Sequence, residues 1–142
     1  MTNTYTIYTD GGSRGNPGPA AAGFIIEGDD IPRVAHGEYI GVATNNVAEY
    51  SALLFALKHL RQELGERSFL ATIQVYSDSE LLVRQMTGEY KIKQDELRKI
   101  VAQIREVMMS FSDINFSHIP REKNIEADSM VNKVLDEKEE IK

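Results

Sequence analysis

The change of apolar periodicity along this chain most constrains its fold. Thr4–Thr9 alternates β-branched and aromatic residues and stops at Asp10-Gly11-Gly12, which reads as a strand followed by a turn. Ala21–Glu27 and Val34–Val42 read as two further strands, joined by the turn-rich Gly28-Asp29-Asp30-Ile31-Pro32. The period then becomes helical. Val47, Tyr50, Leu54 and Leu57, with Leu53, Leu60 and Leu64 beside them, predict a helix over Val47–Leu64 with Asn46 as N-cap. Ala71–Tyr76 is expected to be a strand, and Ser79–Met86 and Asp95–Phe111 helices. Ile114–Ile119 is expected to be the last strand, and Ile125–Glu137 the last helix, capped by Asn124. The order β-β-β-α-β-α-α-β-α predicts an α/β domain with a five-stranded mixed sheet and helices packed on it. No repeat, low-complexity tract or linker interrupts it, so residues 1–142 are expected to form one domain.

Short connections fix the strand directions. The first strand runs up, the second down and the third up, so the helix from Val47 starts at the top and descends. The strand at Ala71 then runs up again, parallel to the first through a right-handed crossover. The same reasoning sends the strand at Ile114 up and starts the last helix at the top. Asp10, Glu49, Asp78 and Asp128 therefore converge on one edge, at the carboxyl ends of the parallel strands, where open α/β sheets place their ligands. Each acid alone has a structural reading: Asp10 as a turn former, Glu49 as the far member of a capping box with Asn46, Asp78 as an N-cap, Asp128 as a complement to a helix dipole. No structural requirement gathers all four on one edge, where they repel each other without cations. A divalent-metal site explains the set, and points to phosphodiester hydrolysis. Hard cations take oxygen ligands, and a pair of them activates water and stabilises a leaving oxygen.

Composition narrows the setting. With no cysteine, neither a disulfide nor a thiolate metal site is possible. No apolar run approaches the length of a membrane span, so no membrane association and a cytoplasmic location are expected. A net charge of −6 argues mildly against nucleic acid as a partner, because phosphate binding usually needs a basic footprint. Metal ions would neutralise the four clustered acids, however, and Glu126, Asp128, Asp136, Glu137, Glu139 and Glu140 all fall in the last stretch of chain.

Four motifs, in order, resemble ribonuclease H of type 1 from about Thr4 to Leu135. They are Asp10-Gly11-Gly12 with Gly15-Asn16-Pro17-Gly18, Thr44-Asn45-Asn46 with Glu49, Asp78-Ser79, and Asn124-Ile125-Glu126-Ala127-Asp128. The resemblance implies an RNase H-like fold with helices on both faces of the sheet. It also implies an endonuclease that cuts the RNA strand of an RNA–DNA hybrid with two Mg²⁺ or Mn²⁺ ions; a monomer is expected. Asp10 would bridge both ions, with Glu49 and Asp78 on one side and Asp128 on the other.

Gly11, Gly12 and Asn16, together with Asn45 and Asn46, are then candidates for the RNA strand, where backbone and side chains sense 2′-hydroxyls. Ser79 and Asn124 are further candidate contacts. His118, ten residues before Asp128, stands where many relatives carry a catalytic loop histidine that assists product release, although Ile119-Pro120-Arg121-Glu122-Lys123 replaces their glycine-rich loop; a packing or surface role is the alternative. Arg121 and Lys123 read equally as phosphate contacts or solvated charges. The best-studied bacterial members carry a long basic insertion where this chain has only Thr87–Lys93. Arg84–Arg105 is nevertheless the most basic stretch, and Lys91 and Lys93 are the predicted DNA-strand contacts. Two other readings remain: a non-catalytic RNase H-like binding module, and a DNA-cutting relative such as a transposase or resolvase core. Retention of all four acids favours catalysis, and the Asn45-Asn46 pair favours a hybrid.

Overall fold

A computed structural model describes residues 3–140 of the chain. The strands are β1 (Thr4–Ser13), β2 (Gly18–Glu27), β3 (Val34–Ala43), β4 (Thr72–Ser77) and β5 (Asp113–His118). The helices are α1 (Asn45–Leu64), α2 (Glu80–Met86), α3 (Asp95–Met108) and α4 (Ile125–Glu140), with short 3-10 turns at Gly65–Leu70 and Arg121–Lys123. The sheet order is β3-β2-β1-β4-β5. β1 pairs antiparallel with β2 and parallel with β4, and β4 pairs parallel with β5, as the crossover argument requires.

Helices cover both faces. Tyr5, Ile7, Phe24, Ile26, Ile73 and Val75 turn one face of the sheet into a core shared with Tyr50, Leu53, Leu57 and Leu60 of α1 and Leu97, Val101 and Ile104 of α3. Alternation along the strands sends Ala21 to the other face, against Val131 and Leu135 of α4. Among the described residues, no helix is long and apolar enough to cross a membrane.

Three local expectations need correction. β1 does not stop at Thr9 but runs on to Ser13, because Asp10, Gly11 and Gly12 keep pairing with Gly23, Ala22 and Ala21. Asp10 is thus an in-strand residue, not a turn former. The cap of α1 is Thr44, not Asn46: the Thr44 hydroxyl accepts from the Val47 amide at 3.2 Å, which leaves Asn46 inside the first turn. Glu49 therefore belongs to no capping box with Asn46. Asp78 is likewise not a cap, since Ser79 accepts from the Leu82 amide at 3.2 Å.

Candidate active site

Glycines set how closely the helices approach the acid-bearing strands. A Cβ on Gly11 would lie 2.3–2.4 Å from backbone atoms of Ala48 and Glu49. Only glycine lets α1 rest on β1 there, and that contact brings Glu49 beside Asp10. On the opposite face a Cβ on Gly23 would lie 2.6 Å from the Ala127 carbonyl, so α4 settles directly onto β2 and delivers Asp128. Asp78 follows β4, whose Ser77 is in register with Thr9 of β1.

The four acids line one cavity of about 370 Å³, together with Gly11, Gly12, Ser13, Arg14, Asn45, Arg121 and Asn132. One carboxylate oxygen from each of Asp10, Glu49 and Asp78 lies within 4.8 Å of the other two. Asp128 joins them through its contact with Asp10, and accepts a hydrogen bond from Asn132 Nδ2 at 3.2 Å.

The electrostatics of this group are unfavourable when it stands alone. Burial, then the charge of Asp78 and the proximity of Asp128, push the Asp10 carboxyl up to about 8. Burial pushes Glu49 up to about 7, against a hydrogen bond from Ser79 and the positive charge of Arg121. Asp78 is also raised, chiefly by burial, with Arg121 opposing. Oxygen-only donors, crowded until they resist ionisation, suit hard divalent cations, whose charge would release those protons and occupy the space between the carboxylates.

The predicted substrate contacts divide into groups. Gly11, Gly12 and Asn45 line the cavity. Asn45 Oδ1 accepts from the Ser13 amide at 2.8 Å and from its hydroxyl at 3.2 Å, while Asn16 Oδ1 accepts from the Asn45 amide at 3.1 Å. This pair of asparagines clamps the β1–β2 turn to the start of α1. Asn46 lies one residue further on and is not among the cavity-lining residues. Asn124 is buried at 1% exposure. It precedes α4 and its carbonyl accepts from the Asp128 amide at 3.2 Å, but its side-chain Oδ1 accepts no hydrogen bond. Nδ2 instead donates to the Thr9 carbonyl at 2.8 Å and also reaches the Asp78 carboxylate, tying the entry of α4 to β1 and to the residue after β4.

Three predicted residues stand elsewhere. His118 ends β5 and lines a separate recess with Glu80, Arg84, Thr87 and Glu89, not the carboxylate cavity. Lys91 and Lys93 lie between α2 and α3, lining another recess with Tyr90 and Gln94. Conversely, sequence reasoning missed Arg14 and Asn132 and left Arg121 undecided. Asn132 was legible as the residue one helical turn after Asp128. Arg14 and Arg121 sit on turns, where no periodicity marks a facing direction.

The reverse transcriptase-like family matches residues 8–134. Ribonuclease HI of Halobacterium salinarum is 40% identical over 131 residues, covering 92% of this chain and 63% of that protein. A bifunctional protein of Mycobacterium tuberculosis is 39% identical over 132 residues, covering 92% of this chain but 35% of its own length. The chain thus spans less than two thirds of either relative. Among solved structures, the LC11 RNase H1 in complex with an RNA/DNA hybrid superimposes with a TM-score of 0.83 at 45% identity, covering 91% of this chain and 94% of that one. The chain has the ribonuclease H fold and belongs to the reverse transcriptase-like family.

Proposed function

We propose that this protein is an endonuclease that hydrolyses the RNA strand of RNA–DNA hybrids, using two Mg²⁺ or Mn²⁺ ions held by Asp10, Glu49, Asp78 and Asp128. The observation that carries the proposal is the convergence of these acids in a cavity floored by Gly11 and Gly12 and bordered by Asn45. The hybrid named for a solved relative at 45% identity supports the choice of substrate.

When bound, such ions supply an activated water and neutralise charge on the leaving oxygen. The protein's own groups do the rest. Asp10, Glu49, Asp78 and Asp128 supply the anionic oxygens, and Arg121 lowers the cost of holding Glu49 and Asp78 ionised. Asn16 and Asn45 hold the β1–β2 turn rigid, so that its backbone presents a fixed edge to the RNA minor groove. Lys91 and Lys93, exposed on the α2–α3 connection, are placed to meet phosphates of the DNA strand as point charges. We assign His118 no proton-transfer role, because it faces a different recess. A monomeric, cytoplasmic enzyme is the form we propose.

Labelled RNA–DNA hybrid, double-stranded RNA and double-stranded DNA, each with Mg²⁺, Mn²⁺ or a chelator, test the reading. Cutting of the hybrid's RNA strand to 5′-phosphate and 3′-hydroxyl ends, with either metal and not with chelator, is expected. Cleavage of double-stranded DNA instead would favour the DNA-cutting alternative.

A further inference from the structure

Arg14 lines the carboxylate cavity, yet its guanidinium is engaged by the end of α4: it donates to Asp136 at 2.7 Å and Glu139 at 2.8 Å. The two acids are presented by Leu135, which is buried against Ala21 and Val131 and anchors that turn of the helix. They remain largely exposed, at 62% and 56%, while the arginine is 32% exposed. Two carboxylates around one guanidinium that lines the carboxylate cavity present the charge and oxygen geometry of a phosphate.

We propose that Arg14 binds a phosphate of the RNA strand, and that Asp136 and Glu139 occupy it as a built-in phosphate mimic that the substrate must displace. The inference rests on the hybrid-cleaving reading above and adds to it a phosphate-binding residue and an internal competitor. Exposed ion pairs are weak, each worth a factor of about five or less in an equilibrium. A phosphate of a polyanionic strand therefore displaces them, and the residual competition keeps binding modest. Because Arg14 follows directly on the Gly11–Ser13 edge, the phosphate it takes is one adjacent to the strand segment lying over the four acids.

The test is a double-mutant cycle in the full chain. Affinity for a fluorescent hybrid is read in Mg²⁺ and 0.15 M salt in an Asp10→Asn background, and kcat and KM are read in the active enzyme. Asp136→Asn with Glu139→Gln is expected to tighten binding about three- to tenfold and lower KM, with kcat unchanged. Arg14→Ala is expected to weaken binding by a similar factor. In the Arg14→Ala background the acid substitutions are expected to gain nothing, and Arg14→Lys is expected to restore part of the affinity. Thermal unfolding of each variant checks that the fold is retained. Equal gains with and without Arg14 would show only general relief of repulsion and overturn the proposal. Hybrid cleavage by the unaltered chain with no change in affinity across the acid variants would sink this inference alone. Failure of the unaltered chain to bind or cut the hybrid would sink the functional reading and this inference with it.

Discussion

Replacing Asp10 by asparagine in the metal-free protein is expected to raise its stability, and to do so only at neutral and alkaline pH. The carboxyl is carried from 3.8 in the unfolded chain to about 8 in the fold, first by burial and then by Asp78 and Asp128. A raised carboxyl favours the folded state while it is protonated. That contribution is complete below about pH 4 and is lost progressively as pH rises toward about 8. Fully ionising such a group costs about 6 kcal/mol at about 1.4 kcal/mol per pH unit. Burial is the larger part and the repulsion is shared with Asp78 and Asp128, and asparagine keeps a buried polar group, so the substitution recovers only part of this, about 3 kcal/mol. For a chain of this size that corresponds to about 6–12 °C in Tm. The assay is thermal unfolding followed by circular dichroism in excess chelator, at pH 4.5 and pH 8.5. Asp10→Asn is expected to melt higher at pH 8.5 and nearly equally at pH 4.5. Millimolar Mg²⁺ is expected to raise the melting temperature of the unaltered protein far more than that of the variant. An equal gain at both pH values, or none at pH 8.5, would refute the crowding argument.

Asp78→Asn is expected to leave the fold intact and reduce turnover at saturating Mg²⁺ by at least about a hundredfold, measured on labelled hybrid. His118→Ala is expected to change kcat less than about twofold, since the ring lies outside the carboxylate cavity; a tenfold loss would restore the sequence-based expectation. Lys91→Ala with Lys93→Ala is expected to raise KM more than it lowers kcat, and to reduce the salt slope of hybrid binding by about 0.9 for each phosphate no longer neutralised. Gly11→Ala forces a methyl group into the backbone of Ala48 and Glu49, so a loss of about 2–4 kcal/mol in denaturant unfolding is expected, with activity falling as Glu49 is displaced.

The architecture was readable because the period of two in Thr4–Thr9, the helical stripe of Val47–Leu64 and the short connections leave one arrangement for the parallel strands. That arrangement alone placed Asp10, Glu49, Asp78 and Asp128 together. The details of α1 were not readable, because Thr44-Asn45-Asn46 offers three capping side chains in a row. Which one caps depends on tertiary contacts: Asn45 is engaged by Ser13 and Asn16, and Thr44 takes the Val47 amide. Asn124 looked like a cap for the same compositional reason and does precede α4, but its Oδ1 accepts no hydrogen bond while its Nδ2 donates to the Thr9 carbonyl inside β1, a partner no local pattern reveals. Position along the chain brought His118 near the acids, yet the Pro120–Lys123 turn takes Arg121, not His118, into the cavity. Charged turn residues such as Arg14 and Arg121 escape sequence reading because their direction is set by the turn and not by a repeat.

The most direct measurement of the central claim is the initial rate of RNA-strand cleavage in an RNA–DNA hybrid, with Mg²⁺ titrated from chelator excess to several millimolar, for the unaltered chain and Asp10→Asn side by side. The account predicts no cleavage in chelator, a rate that rises with Mg²⁺ to saturation for the unaltered chain, and none above background for Asp10→Asn at any concentration. Cleavage that persists in chelator, or an Asp10→Asn protein that reaches the same saturated rate, would contradict it.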